Sequence, residues 1–280
     1  MGRYVPNAMI RGILVPTDFS TCAEQALHYA LTLAERSGAY LVFCHTLHAP
    51  LATEPAPKRV QQLRHMRDAA EHNFQELQKR LPMLGNLPSV FRIEEGNLQD
   101  HLRHCIPDDR IDLIVMGTRG ADGIAELLGS NTSDTIRRAP CPVLAVPENA
   151  PLRPVRRIAF ATDATALRPE ALQPLADLVA LLDAELQVVY VEATSARPGT
   201  AAHPNRSVLE AAFPQASVSF HQIAHPRVEE GLAIFMTQHA TDLLAMMPRS
   251  HTFFDRLFKG SHTHRMALHS TVPLFTFREN

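Results

Sequence analysis

The chain has 280 residues, 45% hydrophobic and 20% charged, with a formal net charge of −2. That length exceeds an ordinary open α/β sheet and suits two compact domains with real cores. Charge is even along it, 15 Lys/Arg against 17 Asp/Glu over residues 1–150 and 12 against 12 over 151–280, so no basic face and no nucleic-acid partner is expected.

Cys22, Cys44, Cys105 and Cys141 all fall in the first half without a CxxC pair. This argues against a disulfide framework and for a reducing compartment. The opening MGRYVPNAMI has no signal-peptide core, Pro6 breaks a myristoylation pattern, and no apolar run approaches the roughly 20 residues that span a bilayer. A soluble cytoplasmic protein without a membrane partner is expected.

The first apolar run, 12–17 (GILVPT), reads as a buried strand with Asp18 at its carboxyl end and Ser20 as a helix N-cap. Ala23, Ala26, Leu27, Ala30, Leu31 and Ala34 then recur at helical spacing, predicting a helix over 21–37 that stops at Gly38. A strand over 40–46 follows, then a Pro-rich connection over 49–57 and a polar helix over 59–81. A weaker strand at 89–93 and a short helix at 97–106 come next. Residues 112–146 (DLIVMGTRGADGIAELLGSNTSDTIRRAPCPVLAV) organise the rest. A strand over 112–116 feeds three glycines at a spacing of three, Gly117, Gly120 and Gly123. Gly129-Ser130 opens a helix over 130–138, and 142–146 is a last strand. The order βαβαβαβαβ predicts a parallel, doubly wound sheet with helices on both faces.

Residues 147–154 carry three prolines and read as a linker, after which the pattern restarts. Asp163 answers Asp18, a helix over 167–183 leads to a strand over 185–191, and a reduced helix is expected near 205–213. Residues 242–246 repeat 112–116, Gly260-Ser261 answers Gly129-Ser130, and 272–275 close the second unit. The prediction is two tandem flavodoxin-like or Rossmann-like α/β domains, 1–148 and 154–280, each with a five-stranded parallel sheet.

In open parallel sheets, ligands bind beyond the carboxyl ends of the strands where strand order reverses. Asp18, Thr46 and the glycine loop converge at that edge of the first unit. Asp18 suits a ribose hydroxyl or an adenine amino group, the backbone of Thr46 an adenine wall. Gly117, Gly120 and Gly129 with the hydroxyls of Ser130 and Thr132 suit phosphates, and Arg119 adds charge. The plainer reading, Asp18 as a turn and cap and the glycines as turn residues, stays open beside it. GxxxxGK[ST], GxGxxG and GxSxG are all absent.

In the second unit Met247 and Ser250 stand where the first has Gly117 and Gly120, and Pro248 removes a donor. Side chains there project where phosphate would sit. His251, Phe253, Phe254 and Phe258 add an apolar segment, read as a packed copy, an apolar pocket or a partner surface. The histidines lack a metal framework such as HExxH, so no metal site is expected among them.

ILVPTDFS, LVFCHT, DLIVMGTRG and GSNTSDTIRRAPCPVLAV, with their second-half counterparts IAFATDA, VVYVEA, DLLAMM and GSHTHRMALHSTVPLF, resemble two universal stress protein domains in tandem. The resemblance covers residues 10–280. It implies association through the last strand of each domain, here as an internal pseudo-dimer, with a homodimer through sheet-edge pairing as a further partner. It implies ATP, or AMP or ADP, with Mg, held in the first domain by Pro16, Thr17, Asp18, Thr46, Met116, Gly117, Arg119, Gly120, Gly129, Ser130, Asn131 and Thr132. The ATP-binding pattern G-x₂-G-x₉-G-[ST] is one residue shorter here, with eight residues between Gly120 and Gly129. The expectation is an ATP-sensing regulator of the stress response with an unidentified protein client. No group beside the phosphates reads as a general base, so no catalysis is expected beyond slow hydrolysis or self-phosphorylation on Ser130 or Thr132. The alternative is a nucleotide-free interaction module acting through its dimer surface or an apolar pocket of the second domain.

Overall fold

The computed structural model describes residues 10–48, 55–119, 128–163, 166–192, 205–248 and 271–279. In the first half, strands β1 (Gly12–Pro16), β2 (Tyr40–Leu47), β3 (Ser89–Glu95), β4 (Leu113–Gly117) and β5 (Val143–Val146) alternate with α1 (Thr21–Ser37), α2 (Ala56–Arg80), α3 (Leu98–Asp108) and α4 (Ser130–Arg138). The second half repeats this with β6 (Arg157–Thr162), β7 (Glu185–Glu192), β8 (Val218–Ala224), β9 (Leu243–Met246) and β10 (Leu274–Thr276). Its helices among the described residues are α5 (Gln173–Leu182), α6 (Arg206–Ala212) and α7 (Val228–Gln238).

Within each half every recorded strand pair is parallel, and the central strands β1 and β4 are buried throughout, as strands covered on both faces must be. The two halves join into one ten-stranded sheet of order β3-β2-β1-β4-β5-β10-β9-β6-β7-β8. The seam is antiparallel, with Phe275 opposite Leu144 and Thr276 opposite Val143. The expected internal pseudo-dimer is therefore a continuous hydrogen-bonded sheet. Two edges that would otherwise leave backbone donors and acceptors unpaired satisfy each other there. Arg278 adds a bond from Nη2 to the Ile136 carbonyl at 3.1 Å, tying the second half's last segment to α4.

One apolar cluster packs α1, α2, α5 and α6 against one face of this sheet, and it runs through both halves. The other face carries α3, α4 and α7 over Leu14, Val42, Ile114, Ala159 and Leu244. The best-specified helix is α1. Ser20 Oγ accepts from the Ala23 amide at 3.2 Å, Gly38 ends the helix at φ 74°, and its buried stripe is rich in alanine. A serine N-cap is worth about 1 kcal/mol over alanine, and small residues let the helix lie close on the strands. Thr21, Gln25 and Tyr29, one turn apart on α1, bond to Glu148, Ala150 and Pro151. The linker over 147–154 is thus fastened along one helix face.

The helix expected over 167–183 is divided. A 3₁₀ turn covers Pro169–Leu172, and α5 starts only at Gln173, with Pro174 in its first turn. A continuous helix would place Pro174 in its interior, where it lacks an N–H and clashes with the preceding turn. The second half also contains β8, which supplies the strand that five per domain required but the sequence reading did not place, and α7, which the reading lacked. Asp112 and Asp242 play matching parts: Asp112 Oδ2 accepts from the Arg11 and Gly12 amides, Asp242 Oδ2 from those of Arg156 and Arg157. Each carboxylate satisfies the amide donors at the entrance to the neighbouring strand.

Candidate functional site

β1 has β2 on one side and β4 on the other, so strand order reverses between β1 and β4, the place where open parallel sheets carry a ligand crevice beyond their carboxyl ends. The turn after β1 is built from its own side chains. Thr17 Oγ1 accepts from the Phe19 amide at 3.1 Å, and Asp18 Oδ1 accepts from the Ser20 amide at 3.0 Å and hydroxyl at 2.6 Å. Phe19 takes φ 61°, in the left-handed region. Asp18 is exposed at the edge while Phe19 turns back against His45, ring centroids 5.0 Å apart.

Across the crevice, Thr118 donates its amide to the Val146 carbonyl at 3.0 Å, and the Gly129 amide donates to the Thr118 carbonyl at 2.7 Å. The Thr132 hydroxyl donates to the Gly117 carbonyl at 2.8 Å. These bonds clamp the start of α4 to the end of β4. The first intrahelical bond recorded for α4 runs from the Ser133 amide to the Gly129 carbonyl. The amides of Ser130, Asn131 and Thr132 precede it, at the positive end of the helix dipole. Gln99 Nε2, from α3, donates to the Thr135 hydroxyl at 2.9 Å and the Asn131 carbonyl at 3.3 Å, bracing this first turn from outside.

Gly117 lacks a side chain for a reason of packing. A Cβ there would lie 2.9 Å from Cys22 Sγ and 3.0 Å from the backbone carbon and oxygen of Cys22. The start of α1 passes too close to β4 for any larger residue. In the second half α5 begins ten residues after Asp163, whereas α1 begins three after Asp18. Met247, in the position of Gly117, packs partly buried against the core shared by both halves.

Of the twelve expected site residues, Asp18, Arg119, Ser130 and Asn131 are exposed, and Thr17, Thr46 and Gly129 are half-buried. Pro16, Met116 and Thr132 are buried, so Pro16 and Met116 offer the crevice backbone rather than side chain. Gly120 lies outside the described residues, as does 121–127, and the second half's 249–270 likewise. Thr46 continues the Val42–Cys44 row, which faces α3 and α4, while His45 points the other way. His45 Nδ1 lies 2.8 Å from the Thr17 carbonyl. It fixes the turn after β1, as Cys22 fixes the space beside Gly117. Neither residue carried a sequence signal, because each acts through a neighbour distant in the chain.

The universal stress protein family model matches residues 9–147 and again 154–278. The chain belongs to the universal stress protein family. A universal stress protein of Synechocystis is 27% identical across 96% of this chain and all of its own length. One from Thermus aquaticus is 30% identical over 49% of this chain and 99% of itself, a single-domain relative of one half. Among solved structures, a universal stress protein from Archaeoglobus fulgidus superposes with a TM-score of 0.69 at 17% identity, covering 96% of this chain and 98% of that one. That likeness establishes the shared fold, two tandem α/β domains in one sheet.

Proposed function

We propose that this universal stress protein is a cytoplasmic regulator of the stress response that binds an adenine nucleotide, ATP with Mg foremost and AMP or ADP otherwise, at the carboxyl edge of its first domain. What carries the reading is the start of α4. Three amides ahead of the first intrahelical bond stand at the point where strand order reverses, beside the close-packed end of β4. The exposed Arg119 supplies a cation beside that turn. Asp18 is the carboxylate at the same edge, and Mg commonly binds through one or two carboxylates together with phosphate oxygens. The group fits the residues present. The role read for it is sensing, with at most slow hydrolysis or self-phosphorylation on Ser130 or Thr132.

A specific observation favours the second reading, a nucleotide-free interaction module. The Gly129 amide, the Thr132 hydroxyl and one oxygen of Asp18 already have partners within the chain. With β5 and β10 joined internally, a homodimer or client pairing with sheet edges would use β3 or β8.

The two readings separate on protein as purified. Absorbance and mass spectrometry should find ATP or AMP, and millimolar Mg-ATP should raise the melting temperature. A ligand at 100 times its Kd adds about 2.7 kcal/mol. The Asp18→Ala, Gly120→Val double variant should lose that shift. No co-purifying nucleotide together with an unchanged melting temperature would establish the interaction module instead.

A further inference from the structure

At the opposite edge of the sheet, where α1 and α5 both end, a cavity of about 260 Å³ opens between the two halves. Leu31 of α1, Leu144 of β5, Leu178 and Leu182 of α5, and Leu243 of β9 form its apolar wall. Leu152 and Val155 of the connecting segment close one side, and Leu152 is 60% exposed at the mouth. Water-sized groups take about 30 Å³ each, so the space holds roughly nine of them, the bulk of a medium-chain aliphatic molecule. It lies just below the range usual for drug-sized ligands.

The charge of this lining is one-sided. Arg36 and Arg153 are among the residues around the cavity, and no Asp or Glu is. Arg153 is neutralised by Asp242, Nη2 to Oδ1 at 2.8 Å. Arg36 has no carboxylate within salt-bridge distance among the described residues; its Nη1 donates to the Leu181 and Leu182 carbonyls at 3.2 and 3.1 Å. Those carbonyls carry the negative end of the α5 dipole, about half an elementary charge, against the full charge of the guanidinium. The rim stays positive, with Nε and Nη2 of Arg36 still able to donate.

The geometry points to a binding site for a small aliphatic carboxylate, its chain among Leu178, Leu182, Leu144 and Val155 and its head on Arg36. Such a ligand touches both halves and the segment that joins them, so its occupancy favours the arrangement in which α1 and α5 lie together. It does not compete with a nucleotide, because the crevice lies at the other end of α1. The inference stands or falls independently of nucleotide binding.

The chain contains no tryptophan, so Leu152→Trp installs a single tryptophan at the mouth, excited selectively beyond the absorption of tyrosine. Titrating the full-length variant with hexanoate, octanoate and decanoate should give saturable fluorescence changes. Affinity should rise about fourfold per added methylene until the cavity is full and then level off. Octanol should bind more weakly than octanoate, and Arg36→Gln in the same background should erase that difference while leaving octanol binding intact. Retained octanol binding shows that the Arg36 variant is folded and its cavity formed. Non-saturable changes, affinity that climbs without levelling off, or an unchanged preference for octanoate in the Arg36 variant would each overturn the proposal. An unlabelled check is the melting temperature of the natural chain, which octanoate should raise and acetate should not.

Discussion

The Thr132 hydroxyl donates to the carbonyl of Gly117, fifteen residues earlier, at 2.8 Å, and Thr132 is only 3% exposed. The bond joins the first turn of α4 to the end of β4 across the glycine loop. Replacing Thr132 by Val keeps the shape and strands the carbonyl, at a cost of about 1–3 kcal/mol. Thr132→Ser keeps the donor and should retain most of that stability. Urea unfolding without nucleotide measures both, and a neutral Thr132→Val would show that water takes over the bond.

Gly117→Ala should be destabilising by about 1–3 kcal/mol, the usual range for overpacking, because the new Cβ meets both side chain and backbone of Cys22. Cys22→Ala in the same chain removes the 2.9 Å contact to Sγ but leaves the 3.0 Å contacts to the backbone. Rescue should therefore be partial. Full rescue in a double-mutant cycle would place the whole conflict in the sulfur.

Burial raises the Tyr29 hydroxyl from 10.0 to about 12, Asp242 adding to the rise and Arg153 opposing it. The folded protein holds this proton more tightly than the unfolded chain. Its contribution to stability is complete below pH 10 and is lost as pH climbs from 10 to about 12. Tyr29→Phe should lose the bond to the Pro151 carbonyl, recorded at 2.8 Å, yet decline less steeply through that window. Asp242→Asn should shift the Tyr29 titration downward. Difference tyrosinate absorbance against the Tyr29→Phe variant reads the shift, and an unmoved midpoint would remove Asp242 from the explanation.

Thiol chemistry should be slow in the native state. Burial raises Cys105 and Cys141 to about 12, and Cys44 rises further for the same reason. Cys105 also donates to Asp109 Oδ2 at 3.0 Å. At pH 8 these three sulfurs should label with an aromatic disulfide reagent only as the protein opens, and all at once in denaturant. Rapid labelling of Cys44 in the folded protein would contradict its place in the core.

Much of the fold was legible because its signals are local. Ile13, Leu14 and Val15 form a short apolar run, Ser20 and Gly38 punctuate α1, and the run at 112–116 recurs at 242–246. β8 was harder to read, since Val218–Ala224 is an edge strand whose residues alternate between half-buried and exposed. The candidate site was legible as residue types, Asp18, the glycines and Ser130. The bonds of Asp18 to Ser20 are local, whereas those of the Gly129 amide to Thr118 and of the Thr132 hydroxyl to Gly117 come from the packing of α4 upon β4.

Two copies of one α/β fold, and the edge where their chemistry gathers, could be read from local signals alone, because period, caps and turns act over a few residues. The packing of the two halves decided that Val143 and Thr276 would face each other in an antiparallel seam. Tertiary packing likewise decided that Gly117 is a glycine because of Cys22, and that Arg36 would stand beside a cavity between the two halves. Each of these joins residues about a hundred or more positions apart, where no local period reaches and only the packing of two faces sets the distance.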